Sequence, residues 1–169
     1  MPLIPYESHH PQVPSSAFVA PNATLVGQVT LGDHSVVMFG AVVRADREAI
    51  SVGEGSNLQD NVVIHGDPGF PAQIGAGVSV GHSAIVHGAI IDDDCLIGMH
   101  ATVLNGSRIG RGSLIAAGSV VLEGQIIPPG SLVAGVPAQV RREVTPEELE
   151  SIKQNALTYR ELARGYQEV

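Results

Sequence analysis

Broken every six residues, the stretch Ile91–Val133 reads IDDDCL IGMHAT VLNGSR IGRGSL IAAGSV VLEGQI IPPGSL V. Ile91, Ile97, Val103, Ile109, Ile115, Val121, Ile127 and Val133 open the blocks, so all eight openings are β-branched aliphatic residues. Four residues on stand Cys95, Ala101, Ser107, Ser113, Ser119, Gln125, Ser131 and Pro137, and six of these eight are Ser, Ala or Cys. A period of six fits neither the 3.6-residue turn of an α-helix nor a long alternating strand. It fits short strands joined by tight turns, each strand burying one aliphatic side chain. Three such rungs close one triangular coil, and stacked coils pair their backbones as parallel sheets.

The phase extends upstream. Val13, Val19, Leu25, Leu31, Val37 and Val43 form one block, Val52, Leu58 and Ile64 a second, and Ile74, Val80 and Val86 a third. Three extra residues separate Val43 from Val52 and four separate Ile64 from Ile74, whereas one is missing between Val86 and Ile91. The segment Gly66-Asp67-Pro68-Gly69-Phe70-Pro71 reads as a loop expelled from a coil. The chain divides into a Pro-rich leader over 1–12, a β-helix of six to seven coils over 13–140, and a linker with a helix over 141–169. That helix starts at Thr145-Pro146-Glu147-Glu148, with Thr145 as N-cap, Pro146 in the first turn and Glu148 completing a capping box. Leu149, Ile152, Ala156, Tyr159, Leu162 and Tyr166 give it an apolar stripe, which a β-helix face would cover.

Composition agrees with a repeat architecture. Hydrophobic residues make up 44% and charged residues 15%, with 20 Gly, three Phe, three Tyr and no Trp. Such a chain buries many small, similar side chains. The formal net charge of −8 argues against nucleic acid as a partner, because phosphate contacts need a basic footprint. Its single cysteine, Cys95, occupies a small inward position and cannot form an intrachain disulfide. The N-terminus has neither a basic n-region nor a long apolar run, so no signal peptide, no membrane span and a cytoplasmic location are expected.

Seven histidines are present. His9 and His10 lie in the leader, and His34 and His100 take the fourth position of a rung. His65 directly follows the inward Ile64, and His87 directly follows the inward Val86, so both point outward. From Ile64 to Val86 is three rungs, one full coil, which stacks the two histidines on one face. Neighbouring strands lie about 4.8 Å apart, a spacing that lets two imidazoles converge on one ion. His82 falls on the preceding face, whose outward direction diverges. A three-fold ring of chains would bring one chain's His82 against its neighbour's His65 and His87. Three neutral nitrogens and an open fourth position make the catalytic zinc pattern.

VVRAD (42–46), SNLQDNVVIHG (56–66), GHSAIVHG (81–88) and IGMHATVLNG (97–106) together resemble the γ-class carbonic anhydrases, in their short-loop bacterial form. The likeness covers nearly the whole chain. GVPAQVRR (135–142) is less specific, being shared with hexapeptide acyltransferases. The resemblance implies an all-β, left-handed parallel β-helix with a C-terminal α-helix, assembled as a homotrimer. It also implies that His65, His82 of the adjacent subunit and His87 hold Zn2+, a donor set that equally suits Fe2+ or Co2+. The implied reaction is reversible hydration of CO2 to bicarbonate by metal-bound hydroxide. Gln59 is implied beside the metal-bound water with Asn57 as a second polar neighbour, and strand alternation makes clustering of both with His65 plausible. Arg44 and Asp46 are implied as an interface ion pair with Asp60 close by, and Tyr159 as a residue closing over the site.

The departures from the family pattern concern the proton. The founding type carries an acidic loop after its first zinc histidine, with a glutamate as proton shuttle. Here the loop 66–73 is short, with Asp67 its only acid. A second family glutamate aligns near Arg47-Glu48, one residue out of step. Hydration should therefore be slow or buffer-dependent. Two other functions fit the same repeat: an acyltransferase or thioesterase acting on acyl-CoA, and a non-catalytic trimer stabilised by metal.

Overall fold

Residues 3–167 are described by the computed structural model; Met1, Pro2, Glu168 and Val169 lie outside them. The six-residue phase becomes a parallel β-helix with one short strand per rung. The first face carries Phe18–Val19, Val36–Val37, Asn57–Leu58, Ser79–Val80, Leu96–Ile97, Leu114–Ile115 and Ser131–Gly135, paired in that order. The second and third faces form one eleven-stranded sheet, because Thr24–Leu31 and Val42–Val52 bend round the corner between them. Val63–His65, Ile85–His87, Thr102–Val103 and Val120–Val121 continue the second face. Ala72–Ile74, Ile90–Ile91, Arg108–Ile109 and Ile126–Ile127 continue the third.

The inward residues stack into the core. Val43, Ile64, Val86, Val103 and Val121 on the second face are fully buried, as are Leu58, Val80, Ile97, Ile115 and Val133 on the first. Between them lie the small inward residues, and their hydroxyls bond locally: Ser56 donates to the Gly75 carbonyl at 2.6 Å and Ser131 to that of Pro128 at 2.7 Å. Cys95 belongs to this set. Burial pushes its thiol up to about 12, well out of the reactive range.

The fourth position of a rung is the turn. Gly40, Gly55, Gly77, Gly106, Gly112, Gly118, Gly124 and Gly130 take a left-handed φ there, a conformation glycine adopts without a Cβ clash. His34, Asn61, Ser83, Asp94 and His100 adopt it too, with φ between 56° and 60°. His34 and His100 are thus exposed turn residues.

All three irregular spacings of the sequence fall at one corner, between the second and third faces. Residues 46–49 bulge where Gln28 alone turns the coil below, Gly66–Pro71 loops out one coil higher, and Gly88-Ala89 cuts the next coil short. Elsewhere the stack keeps its register.

Both ends depart from the bare repeat. Leader residues Leu3–Ile4 pair with Leu25–Val26, and Gln12 bridges Thr30, adding part of a coil. His9 and His10 are exposed. At the far end Ala138–Glu143 turns back antiparallel on Ser131–Gly135, presenting Arg141, Arg142 and Glu143 at the edge. The helix Pro146–Gln167 then runs back over the first face. Its capping box is formed: Glu148 accepts from the Thr145 amide at 2.9 Å, and the Glu148 amide donates to Thr145 Oγ1 at 3.2 Å. The Arg142 guanidinium holds Glu148 down to about 2, so the capping carboxylate stays ionised well into the acid range. Ile152, Ala156 and Ala163 are buried. Leu162 is 46% exposed; Ala163, one residue on, faces the sheet and permits closer approach. Tyr166 stacks on Phe18 and meets Phe39 edge-on. Among the described residues, no helix is long and apolar enough to cross a membrane.

Two outcomes follow from this core. Ile115→Ala should cost about 2–5 kcal/mol in urea unfolding, the usual range for such a truncation in a packed core. Cys95 should stay inert to a thiol reagent in the native protein and react fully once it is unfolded.

Candidate metal centre

The irregular corner gathers polar side chains that a regular repeat would keep apart. His65 and His87 are direct partners in the parallel ladder, one coil apart. Their rings lie 5.0 Å apart between centroids, and His65 Nδ1 meets His87 Nε2 at 3.0 Å. The bulge below delivers Asp46, whose Oδ1 lies 3.0 Å from His65 Nε2, and Arg44 pairs with the other oxygen of the same carboxylate. Asn105, one coil above His87, places its Oδ1 2.8 Å from His87 Nδ1 and donates from Nδ2 to Asp67 at 3.0 Å.

These contacts decide the tautomers. The Asp67 carboxylate can only accept, so Asn105 must turn its amide nitrogen toward it and its oxygen toward His87. His87 Nδ1 therefore carries a proton and its Nε2 a lone pair. Asp46 likewise fixes the proton of His65 on Nε2, leaving a lone pair on Nδ1. On that assignment two unprotonated nitrogens face each other across 3.0 Å, close to the spacing of two nitrogen ligands on one metal ion. Burial alone would raise the Asp46 carboxyl, but the hydrogen bonds from Arg44 and His65 outweigh it and hold Asp46 below the ordinary carboxylate range. It stays ionised and holds the His65 ring in place.

His82 is elsewhere. It occupies the turn after Ser79–Val80, on the helix-covered side, with its side chain 42% exposed. Its Nδ1 lies 2.9 Å from Asp60 Oδ2, and Tyr159 Oη lies 3.2 Å from its Nε2. Asp60 thus keeps the proton on Nδ1, and the phenol donates to the free Nε2. Burial, with the Asp60 charge behind it, pushes the Tyr159 phenol up, so it remains a neutral donor. Gln59 Oε1 accepts from the His82 amide at 3.2 Å, and Gln59 Nε2 donates to Asn57 Oδ1 at 3.2 Å. Asn57, fully buried, donates to Ser79 Oγ at 2.8 Å. A cleft of about 360 Å³ opens beside this cluster, lined by Gln59, His82, Leu96, Met99, Leu114 and Tyr159.

One chain therefore carries two separate clusters. Arg44, Asp46, His65 and His87 come together at the corner; Asn57, Gln59, Asp60, His82 and Tyr159 come together under the helix. The clustering of Asn57 and Gln59 with His65 does not occur within a chain, because those two residues lie on the first face and His65 on the second. Asn105 and the position of Asp67 were missed from the sequence. Asn105 sits just before a turn glycine, where asparagine is ordinary, and only the coil count above His87 could have singled it out.

The donor chemistry fits a metal: two imidazole lone pairs converge, each held by a bond on its far side. Asp67 offers a further donor there, its ligand atom lying with those of His65 and His87 within 4.8 Å of one another.

The fold defines a hexapeptide-repeat protein with a histidine cluster at one corner, and comparison with known proteins gives the family. Residues 88–123 match the family model described as bacterial transferase hexapeptide (six repeats). The chain is 53% identical over 145 residues to a protein named probable carbonic anhydrase from Methanocaldococcus jannaschii, covering 86% of this chain and 91% of that one. It is 41% identical over 160 residues to mitochondrial gamma carbonic anhydrase 2 of Arabidopsis thaliana, covering 91% of this chain but only 58% of the plant protein. A crystal structure of a hexapeptide transferase family protein from Anaplasma phagocytophilum superposes with a TM-score of 0.94 at 39% identity, covering 98% of both chains. The chain belongs to the γ-class carbonic anhydrase-like family.

Tyr159→Phe tests the His82 cluster. In the metal-free protein the fold should be unchanged, and the His82 Nε2 resonance in a 15N spectrum should move while Nδ1, held by Asp60, stays in place.

Proposed function

We propose that the protein is a metal-dependent carbonic anhydrase of the γ type, hydrating CO2 reversibly at sites between the subunits of a homotrimer. The observation that carries this reading is the pair of imidazole nitrogens, His65 Nδ1 and His87 Nε2, 3.0 Å apart, each ring hydrogen-bonded on its far side. His65 and His87 of one chain, with His82 of a neighbour, would hold Zn2+, or Fe2+ or Co2+, which suit the same nitrogens. When bound, such a metal supplies Lewis acidity that makes water a nucleophile near neutral pH.

The split of the site argues for assembly. The corner half lacks a third imidazole, the helix half has one on a half-exposed side chain, and a three-fold ring joins such halves in closed fashion. Exposed apolar residues flank both: Val63 and Ile85, each 39% exposed, precede His65 and His87 on the second face, and Met99, 52% exposed, lies beside His82. Covering them on association is favourable.

The chain's other residues then have definite work. Asp46 and Asp60 orient His65 and His82. Gln59, braced by Asn57, has a second amide hydrogen to offer an oxygen atom in the cleft, and Asn57 is a positioning residue because it is fully buried. Arg44, with its side chain 46% exposed, brings positive charge to the corner for an anionic product. Tyr159 must release His82 Nε2 before that nitrogen can bind elsewhere. Glu48 accepts from the Gly69 amide at 2.6 Å, so it braces the loop after His65.

The apolar cleft and the transferase name of a structural relative favour a second reading, acyl transfer or thioester hydrolysis on acyl-CoA. Acyltransferases of this fold usually take a histidine base from a projecting loop, and the loop here, 66–73, has none. Stabilisation by millimolar acetyl-CoA in a melting experiment would favour that reading, and no shift would count against it.

Stopped-flow CO2 hydration, with metal content measured on the same anaerobic sample, tests the proposal. The rate should track metal and rise with buffer concentration, since the acidic shuttle loop is absent. His82→Ala should lower it by at least ~100-fold, and Asp60→Asn by about 10–100-fold, as loss of a ligand's orienting partner does. Full metal occupancy without hydration in any buffer would leave a structural metal and discard the enzyme.

A further inference from the structure

The loop after His65 does more than bulge. Its turn is closed by the Phe70 amide donating to the Asp67 carbonyl at 2.8 Å and is braced by Glu48 at Gly69. Phe70 packs down on Gly88 and Gly106, where an added Cβ would fall 2.7 Å and 3.1 Å from its side chain. The loop is thereby folded against the corner, and it delivers the Asp67 carboxylate to the histidine pair. Asn105 serves both donors at once, bonding His87 through its oxygen and Asp67 through its nitrogen. The ligand atoms of His65, Asp67 and His87 lie within 4.8 Å of one another.

We propose that Asp67 is a third metal donor supplied by the same chain, so that a single chain can capture a divalent cation through His65, Asp67 and His87 before the trimer closes. Two imidazoles and one carboxylate form a set competent for Zn2+, Fe2+ and Co2+. Three imidazoles together with this carboxylate would fill four positions, whereas a catalytic site keeps one open. The carboxylate is exposed and already bonded to Asn105, so it has a partner to return to when His82 of the neighbouring chain takes its place. That exchange breaks one metal–oxygen bond, forms one metal–nitrogen bond and involves no redox change. The inference rests on the metal reading of the corner and adds an order of loading to it.

The test is Co2+ titration of the metal-stripped full chain, followed by visible absorption and calorimetry, with oligomeric state measured by sedimentation on the same samples. His82→Ala should still bind one Co2+ per chain, about 10–100-fold more weakly than the unaltered protein. Adding Asp67→Asn should weaken binding at least ~10-fold further, and Asp67→Glu in its place should retain binding, showing that the loss belongs to the donor and not to a misfolded loop. Asp67→Asn alone should leave the trimer's affinity within about threefold. Equal affinity of His82→Ala and His82→Ala/Asp67→Asn would overturn the proposal, as would no Co2+ binding by His82→Ala; both outcomes leave the three-histidine site intact. Unchanged affinity in His82→Ala, lost on adding Asp67→Asn, would instead sustain Asp67 and remove the inter-subunit ligand.

Discussion

Everything in this molecule depends on vertical register: each inward Val, Ile or Leu must stand directly on the one a coil below. Strand spacing of about 4.8 Å is fixed by backbone hydrogen bonds, so side chains one coil apart are always brought to contact distance. Inside, that rule builds the core. Outside, it stacks whatever residues occupy matching positions, and at one place those are His65 and His87. The histidine pair thus uses the same spacing that holds the fold together.

The corner shows what happens where that rule is locally relaxed. The coils above and below stay in register through the bulge at residues 46–49, the loop at 66–71 and the shortened turn at 88–89, because the strands on either side still pair. Chain length can therefore change at a corner with little disturbance to the core. Here it has changed in three successive coils, and the bulged and looped segments supply Asp46 and Asp67. A regular coil would have put a turn glycine or a short polar residue at the same height. Electrostatically the result is a column of alternating partners, Arg44, Asp46, His65, His87, Asn105 and Asp67, in which every outer contact pushes a lone pair toward the middle.

Most of the architecture was legible from the residues. The inward phase, the three irregular spacings, the capping box of Thr145 and Glu148 and the stacking of His65 on His87 all follow from counting, because a solenoid converts sequence separation directly into position. What counting missed has physical causes. Ala163 replaces Leu162 in the helix stripe because a small side chain lets the helix approach the sheet, and helical spacing alone does not rank neighbours by size. The leader strand at Leu3–Ile4 carries no repeat to announce it. The contacts of Asp46, Asp67 and Asn105 depend on how expelled segments fold back, and the six-residue phase is silent on that. Strand alternation also treated Asn57, Gln59 and His65 as one outward set, although a corner separates them.

The reversed strand Ala138–Glu143 has a consequence of another kind. A parallel solenoid is an open-ended template, since its last coil offers the same edge on which it was itself laid down, and a copy of the chain could continue the column. A strand running the opposite way, edged with Arg141, Arg142 and Glu143, supplies the wrong polarity and an unwelcoming charge. On the first face, lengthwise continuation by a second copy is therefore closed off at this end.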